Sequence, residues 1–96
     1  MRKYETMFIL KANLEEEKRN EVINKFKSII ETDGAVEKVD EWGNRKLAYE
    51  INKMTDGYYV LINFTAGADL PKELDRNFRI SDDVIRHLIV NLDDVK

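Results

Sequence analysis

Residues 58–65 read Tyr-Tyr-Val-Leu-Ile-Asn-Phe-Thr. Aromatic and β-branched residues fill the run, and such a run is a strand. Both of its parities are apolar. Val60, Ile62 and Phe64 fall on one face, and Tyr59 and Leu61 fall on the other beside Asn63. A strand of this kind has to be covered on one face by the chain's own helices, and its other face needs a second explanation.

The rest of the chain supplies few elements for that cover. Residues 3–10 form another strand, with Tyr4, Thr6, Phe8 and Leu10 on one face and Lys3, Glu5, Met7 and Ile9 on the other. A helix follows. Asn13 is the expected N-cap, with Glu16 three residues on, and Glu15, Glu16 and Glu17 sit in the first turn where the helix dipole favours acids. Val22, Ile23, Phe26, Ile29 and Ile30 make its apolar stripe, and Gly34 is the expected residue just past its end. Residues 35–51 read as extended, with a bulge or bend at Gly43. Residues 52–57, ending in Asp56-Gly57, carry the turn signal of a hairpin that leads into 58–65. A second helix begins near Asp69, with Pro71 in its first turn and Leu70, Leu74 and Phe78 on one face. Residues 84–92 form the last strand, and the tail 93–96 is polar and expected to fray. The order β-α-β-β-α-β defines an α+β, ferredoxin-like sandwich: a four-stranded antiparallel sheet with two helices on one face. The 96 residues make one domain, 1–96.

Two helices cover one face of such a sheet, so the other face should carry polar residues at alternate positions. Instead Met7, Ile9, Tyr59, Leu61, Leu88 and Val90 point outward together. A contiguous apolar patch of this size marks a surface for a protein partner, unless one strand runs in the opposite register or the helices spill over the sheet edge.

Composition removes most chemistry. The chain has no Cys and one His, so disulfides, thiol nucleophiles and Cys or His metal sites are excluded. His87 has no Ser or acid placed beside it by any motif, so it reads as a packed structural side chain. Asp82-Asp83 and Asp93-Asp94 read as a turn and a solvated tail, and neither pair makes a metal site. No cofactor, small-molecule substrate or enzymatic activity is expected. No apolar run approaches a membrane span, and the first residues lack the apolar core of a signal peptide, so a cytoplasmic protein is expected. The net charge of −3 is unusual for a free nucleic-acid binder. Basic residues are nonetheless well placed at Arg2, Lys3, Arg45, Lys46, Lys53, Arg76, Arg79 and Arg86.

Four fragments in order carry a family resemblance. They are Arg2-Lys3-Tyr4-Glu5, Trp42-Gly43-Asn44-Arg45-Lys46-Leu47-Ala48-Tyr49-Glu50-Ile51, Gly57-Tyr58-Tyr59, and Phe78-Arg79-Ile80 running on to Asp82, Val84, Ile85 and Arg86. Together they resemble the bacterial small-subunit ribosomal protein S6 family over nearly the whole chain. The resemblance implies the same β-α-β-β-α-β fold and a structural, non-enzymatic role in translation on the ribosome. It also implies binding to the central domain of small-subunit ribosomal RNA, as a heterodimer with the small basic ribosomal protein S18. Carried over residue by residue, it implies RNA-facing roles for Arg2, Lys3, Tyr4, Arg45, Tyr49, Lys53, Arg79 and Arg86. Asn44 and Asn91 stand where the family can carry a basic residue, so no phosphate contact is transferred to either. Three rivals share the fold, one of them a small regulatory or ligand-binding domain that docks edge to edge. An RNA-recognition module would need aromatics on the two central strands, for which Tyr59 is the one good candidate. An acyl-phosphate hydrolase would need a Gly-rich, Arg-bearing loop after the first strand, and residues 11–14 hold neither.

Overall fold

The computed structural model describes residues 1–51 and 54–94. The elements are β1 (Arg2–Lys11), α1 (Glu16–Glu31), β2 (Gly34–Ile51), β3 (Met54–Ala66), α2 (Leu70–Ile80), β4 (Val84–Asn91) and a short 3-10 turn at Leu92–Asp94. The strands form one sheet in the order β2-β3-β1-β4, and every neighbouring pair is antiparallel. The ferredoxin-like arrangement expected from periodicity is the one observed.

The core lies between the helices and one sheet face. Phe8, Leu10, Val60, Ile62 and Phe64 come from the sheet, Val22, Ile23, Phe26 and Ile30 from α1, and Leu70, Leu74 and Phe78 from α2. Phe8, Phe26 and Phe78 form a ring cluster with centroids 4.4–5.3 Å apart, joining both helices to the central strand. Each such pair adds about 0.5–1.5 kcal/mol beyond its burial. Thr6 is the buried polar residue in this layer, and its hydroxyl donates to the Leu88 carbonyl at 2.9 Å.

Local signals at the helix ends misplace the boundaries. Asn13 is not the N-cap of α1. Glu15 takes that position in extended conformation with no side-chain cap bond, so acids in the first turn carry the electrostatic role alone. Gly34 is not a left-handed cap either. Thr32 ends α1 in helical conformation, and Gly34 opens β2, where an added Cβ would lie 1.9 Å from the Thr65 carbonyl oxygen. The glycine is required by backbone contact with β3. The Asp56-Gly57 pair is strand rather than turn, because β3 already starts at Met54. Of the tail expected to fray, residues 93–94 belong to the 3-10 turn Leu92–Asp94, and residues 95–96 lie outside the described ones. Asp93 accepts the backbone N–H of Lys3 at 3.0 Å, supplying a partner where β1 runs on past the end of β4.

The long strand β2 changes face by bulging. Val36 pairs with Phe64, but Lys38 pairs with Asn63, which makes Glu37 an extra residue. Val39 therefore joins Val36 on the helix side. A second bulge follows: Glu41 pairs with Val60, Gly43 pairs with Tyr59, and Trp42 is the extra residue. Gly43 has φ of +84°, which a side chain would strain. After this bulge Arg45 lies opposite Gly57. The break expected at Gly43 is this bulge.

Candidate partner and nucleic-acid interface

The bulge at Trp42 decides what the outer sheet face carries. Strict alternation from Glu41, whose carboxylate reaches Tyr58 on the helix side, would send residues 43, 45 and 47 to that side as well. The extra residue reverses the parity, so Arg45 and Leu47 join Trp42 on the outer face. Leu47 is 8% exposed, and it packs beside Gly57, Ile9 and Ile85. Ile85 is itself the extra residue of a bulge in β4, between the pairs Ile9 with Arg86 and Leu10 with Val84.

This packing corrects one residue of the expected outward patch. Ile9 is 4% exposed, because the distal part of the hairpin folds over it and hides it from any partner. Met7, Tyr59, Leu61 and Val90 are half-buried, and Leu88 is 54% exposed. Five of the six expected positions thus keep open surface. Between the hairpin and the sheet lies a hollow of about 260 Å³ lined by Met7, Leu47, Tyr49, Ile51, Arg86 and Leu88, among others. The Arg86 guanidinium donates to the Tyr49 hydroxyl and lies 5.7 Å from the centre of its ring.

The residues expected to face RNA do not form one cluster. Arg86 and Tyr49 meet at the hollow. Arg45 stands beside Trp42 and Tyr59 around a second cleft of about 510 Å³. Arg2 and Lys3 are exposed at the opposite end of β1, about 20 Å from the Ile9 row at 3.3 Å per residue. Arg79 is on α2, with its guanidinium 2.8 Å from Asp75. Lys53 lies outside the described residues. Tyr4 does not offer a stacking surface, for it is 5% exposed and its ring packs in the core on Phe64 with centroids 5.5 Å apart.

Two polar chains escaped sequence reading, and both are structural. His87 Nε2 lies 2.6 Å from Asp75 Oδ1, its ring stacks on Phe78 at 5.0 Å, and Arg79 holds the second oxygen of Asp75. This ties β4 to α2 and gives His87 the packed role expected of it. On the other flank the Arg19 guanidinium lies 4.1 Å over the Tyr58 ring, and the Tyr58 hydroxyl donates to Glu41 at 2.8 Å. Burial raises the Tyr58 pKa above 10.0; the Glu41 hydrogen bond and charge add to the rise, and Arg19 opposes it. Trp42 was also missed as a site residue. Gly43 was the one signal that could have found it, because a bulge re-aims its neighbours.

Among the described residues no helix is long and apolar enough to cross a membrane. A closed sheet-and-helix core with an apolar outer face and scattered cations is the architecture of a small interaction domain. The comparisons give the particular family. The model of the family described as Ribosomal protein S6 matches residues 3–91. The small ribosomal subunit protein bS6 of Alkaliphilus oremlandii is 64% identical over 93 residues, covering 97% of this chain and 99% of that protein. Its counterpart in Clostridium acetobutylicum is 61% identical over 94 residues, with 97% and 99% covered. The crystal structure of 30S ribosomal protein S6 from Thermotoga maritima superposes with a TM-score of 0.91 at 37% identity, covering 97% of this chain and 89% of that one. The chain belongs to the ribosomal protein S6 family. Its role is structural, in translation on the cytoplasmic ribosome, and it is not an enzyme.

Proposed function

We propose that the chain acts as a single domain, 1–96, that binds the central domain of small-subunit ribosomal RNA as a heterodimer with ribosomal protein S18. The observation that supports this is the apolar outer face, with Leu88 at 54% exposure, on a chain of net charge −3. An exposed apolar face favours a protein partner, and an acidic chain needs a basic one before it approaches RNA. Met7, Tyr59, Leu61, Leu88 and Val90 are the partner-facing candidates, and Ile9 supports them from beneath. Arg2, Lys3, Arg45, Tyr49, Lys53, Arg79 and Arg86 are the RNA-facing candidates. The resemblance to the family motifs carries the choice of RNA domain and of partner.

The test is a filter-binding titration of the ribosomal RNA site with the lone protein, lone S18 and their equimolar mixture. The mixture should bind far more tightly than either component at physiological salt. Tight and specific binding by the lone protein would overturn the heterodimer reading.

A further inference from the structure

The bulge in β2 assembles a group of side chains that the partner surface does not need. Trp42 is 48% exposed, and its ring lies within 6° of parallel to the Tyr59 ring, with centroids 6.4 Å apart. Arg45 closes the third side of the cleft. It makes no ion pair or hydrogen bond with any described residue, whereas Lys38, seven residues earlier on β2, is held by Asp40 at 3.3 Å. An exposed tryptophan, a parallel tyrosine and an uncommitted guanidinium are thus brought to one edge of the outer face. The backbone that does this is specialised: Gly43 adopts a conformation that other residues resist, and nothing lies within 4 Å of where its Cβ would be. The bulge is therefore not forced by packing at Gly43.

We propose that Trp42, Tyr59 and Arg45 form a site for one unpaired RNA base, with the base stacked on the aromatic pair and the adjoining phosphate held by Arg45. Aromatic faces accept any base by stacking, and a guanidinium beside them supplies the counter-charge for the backbone. The sign of the charge selects RNA over the basic protein partner. A lysine or arginine arriving over the rings would be repelled by Arg45, and a phosphate is attracted. The proposal rests on the reading of this chain as an RNA-associated ribosomal protein, and it adds which surface takes a base. It moves Tyr59 from the partner face to the RNA face.

Trp42 is the one tryptophan in the chain, so its emission reports this site directly. The experiment is a fluorescence titration at low salt with single-stranded oligouridylate and oligoadenylate hexamers, with a duplex of equal length as control. Single strands should quench Trp42 saturably and the duplex should not. The midpoint should move about tenfold in Arg45→Ala and in Tyr59→Leu, in keeping with the loss of one stacked base or one phosphate contact. Arg45 is exposed and has no ion pair or hydrogen bond among the described residues, so Arg45→Ala keeps the fold even if Tyr59→Leu loosens it. Lack of saturable quenching, equal quenching by the duplex, or a midpoint unmoved in Arg45→Ala overturns the proposal. So does quenching by S18 with none by single strands, which would give the rings to the protein interface. Trp42→Leu in the S18 mixture separates this proposal from the broader one. If wild type and variant assemble equally on the ribosomal RNA, the heterodimer reading stands and the base site falls. If wild type does not assemble while hexamers still quench Trp42, the heterodimer reading falls alone.

Discussion

Gly34 and Gly43 stand on the same strand for opposite reasons, and substitution separates them. At Gly34 a Cβ would meet the Thr65 carbonyl oxygen at 1.9 Å and the Ala66 Cα at 2.8 Å, both of them backbone atoms of a paired strand that cannot turn aside. At Gly43 the space is open, and the penalty is only that of holding a side chain at φ +84°, about 1–2 kcal/mol. Gly34→Ala should therefore lower the melting temperature well beyond Gly43→Ala, as read by circular dichroism. Equal losses would mean that β2 can shift away from β3 at its start. Tyr58 gives a second test at this scale. Its pKa is raised, so the folded state favours the neutral hydroxyl. The associated stability is intact below pH 10.0, the ordinary tyrosine value, and declines as pH rises above it, because the unfolded chain ionises first. Denaturant melts of wild type and Tyr58→Phe should run in parallel up to that pH and converge above it. A wild-type curve that stays parallel to the variant through the alkaline range would remove Tyr58 from the balance.

The outer face is where the elements' packing makes a prediction that sequence alone gets wrong. Met7 and Leu61 are half-buried there, but Ile9, on the same strand face as Met7, is covered by Leu47 of the hairpin. Met7→Asp and Leu61→Asp should leave a folded protein that no longer docks its partner. Ile9→Asp would bury an unpaired charge at a cost of several kcal/mol, enough to unfold a domain of this size. Thermal melts of the three variants check this, and an Ile9→Asp protein as stable as Met7→Asp would mean that the hairpin lifts freely. The element order and the helix-side core were readable from the sequence, because Phe8, Phe26, Val60 and Phe78 follow strict periods of 2 and 3.6. The element ends were less so. Asn13, Gly34 and Asp56-Gly57 are residue types that suit caps and turns, and tertiary contacts assigned them elsewhere. Of the candidate site, the apolar face was readable by alternation and the cover over Ile9 was not. That cover depends on the extra residues Trp42 and Ile85, each of which reverses the facing of the strand residues beyond it. The bulge at Trp42 is announced by one glycine, and the bulges at Glu37 in β2 and Ile85 in β4 by no residue at all.

At the scale of the whole molecule, charge limits how this protein can meet RNA. The chain carries 19 acids against 16 Lys and Arg, so its long-range field does not draw it toward phosphate. Several of its cations are already committed: Arg79 to Asp75 at 2.8 Å, Arg76 to Glu73 at 3.3 Å and Lys38 to Asp40 at 3.3 Å. Arg2, Lys3, Arg45 and Arg86 make no ion pair with any described residue, and they are spread over both ends of the sheet. Each neutralised phosphate releases its counterions and contributes about 0.7–0.9 to the fall of log affinity with log salt concentration. The lone protein should then show a slope no steeper than about −4, and the mixture with a basic partner a steeper one, because the partner brings phosphate contacts of its own. Arg45→Ala and Arg86→Ala should each make the slope shallower by about one. Arg79→Ala should change it less, since that guanidinium is already balanced by Asp75. Arg86→Ala should also weaken assembly of the mixture on RNA by about 1–3 kcal/mol while leaving the melt unchanged, its side chain being exposed and held, among the described residues, by the Tyr49 hydroxyl. The measurement is the same filter-binding titration repeated across a salt series for each variant. A slope for the lone protein as steep as that of the mixture would mean that this acidic chain gathers its phosphate contacts unaided, and the partner would then have no electrostatic part in its binding.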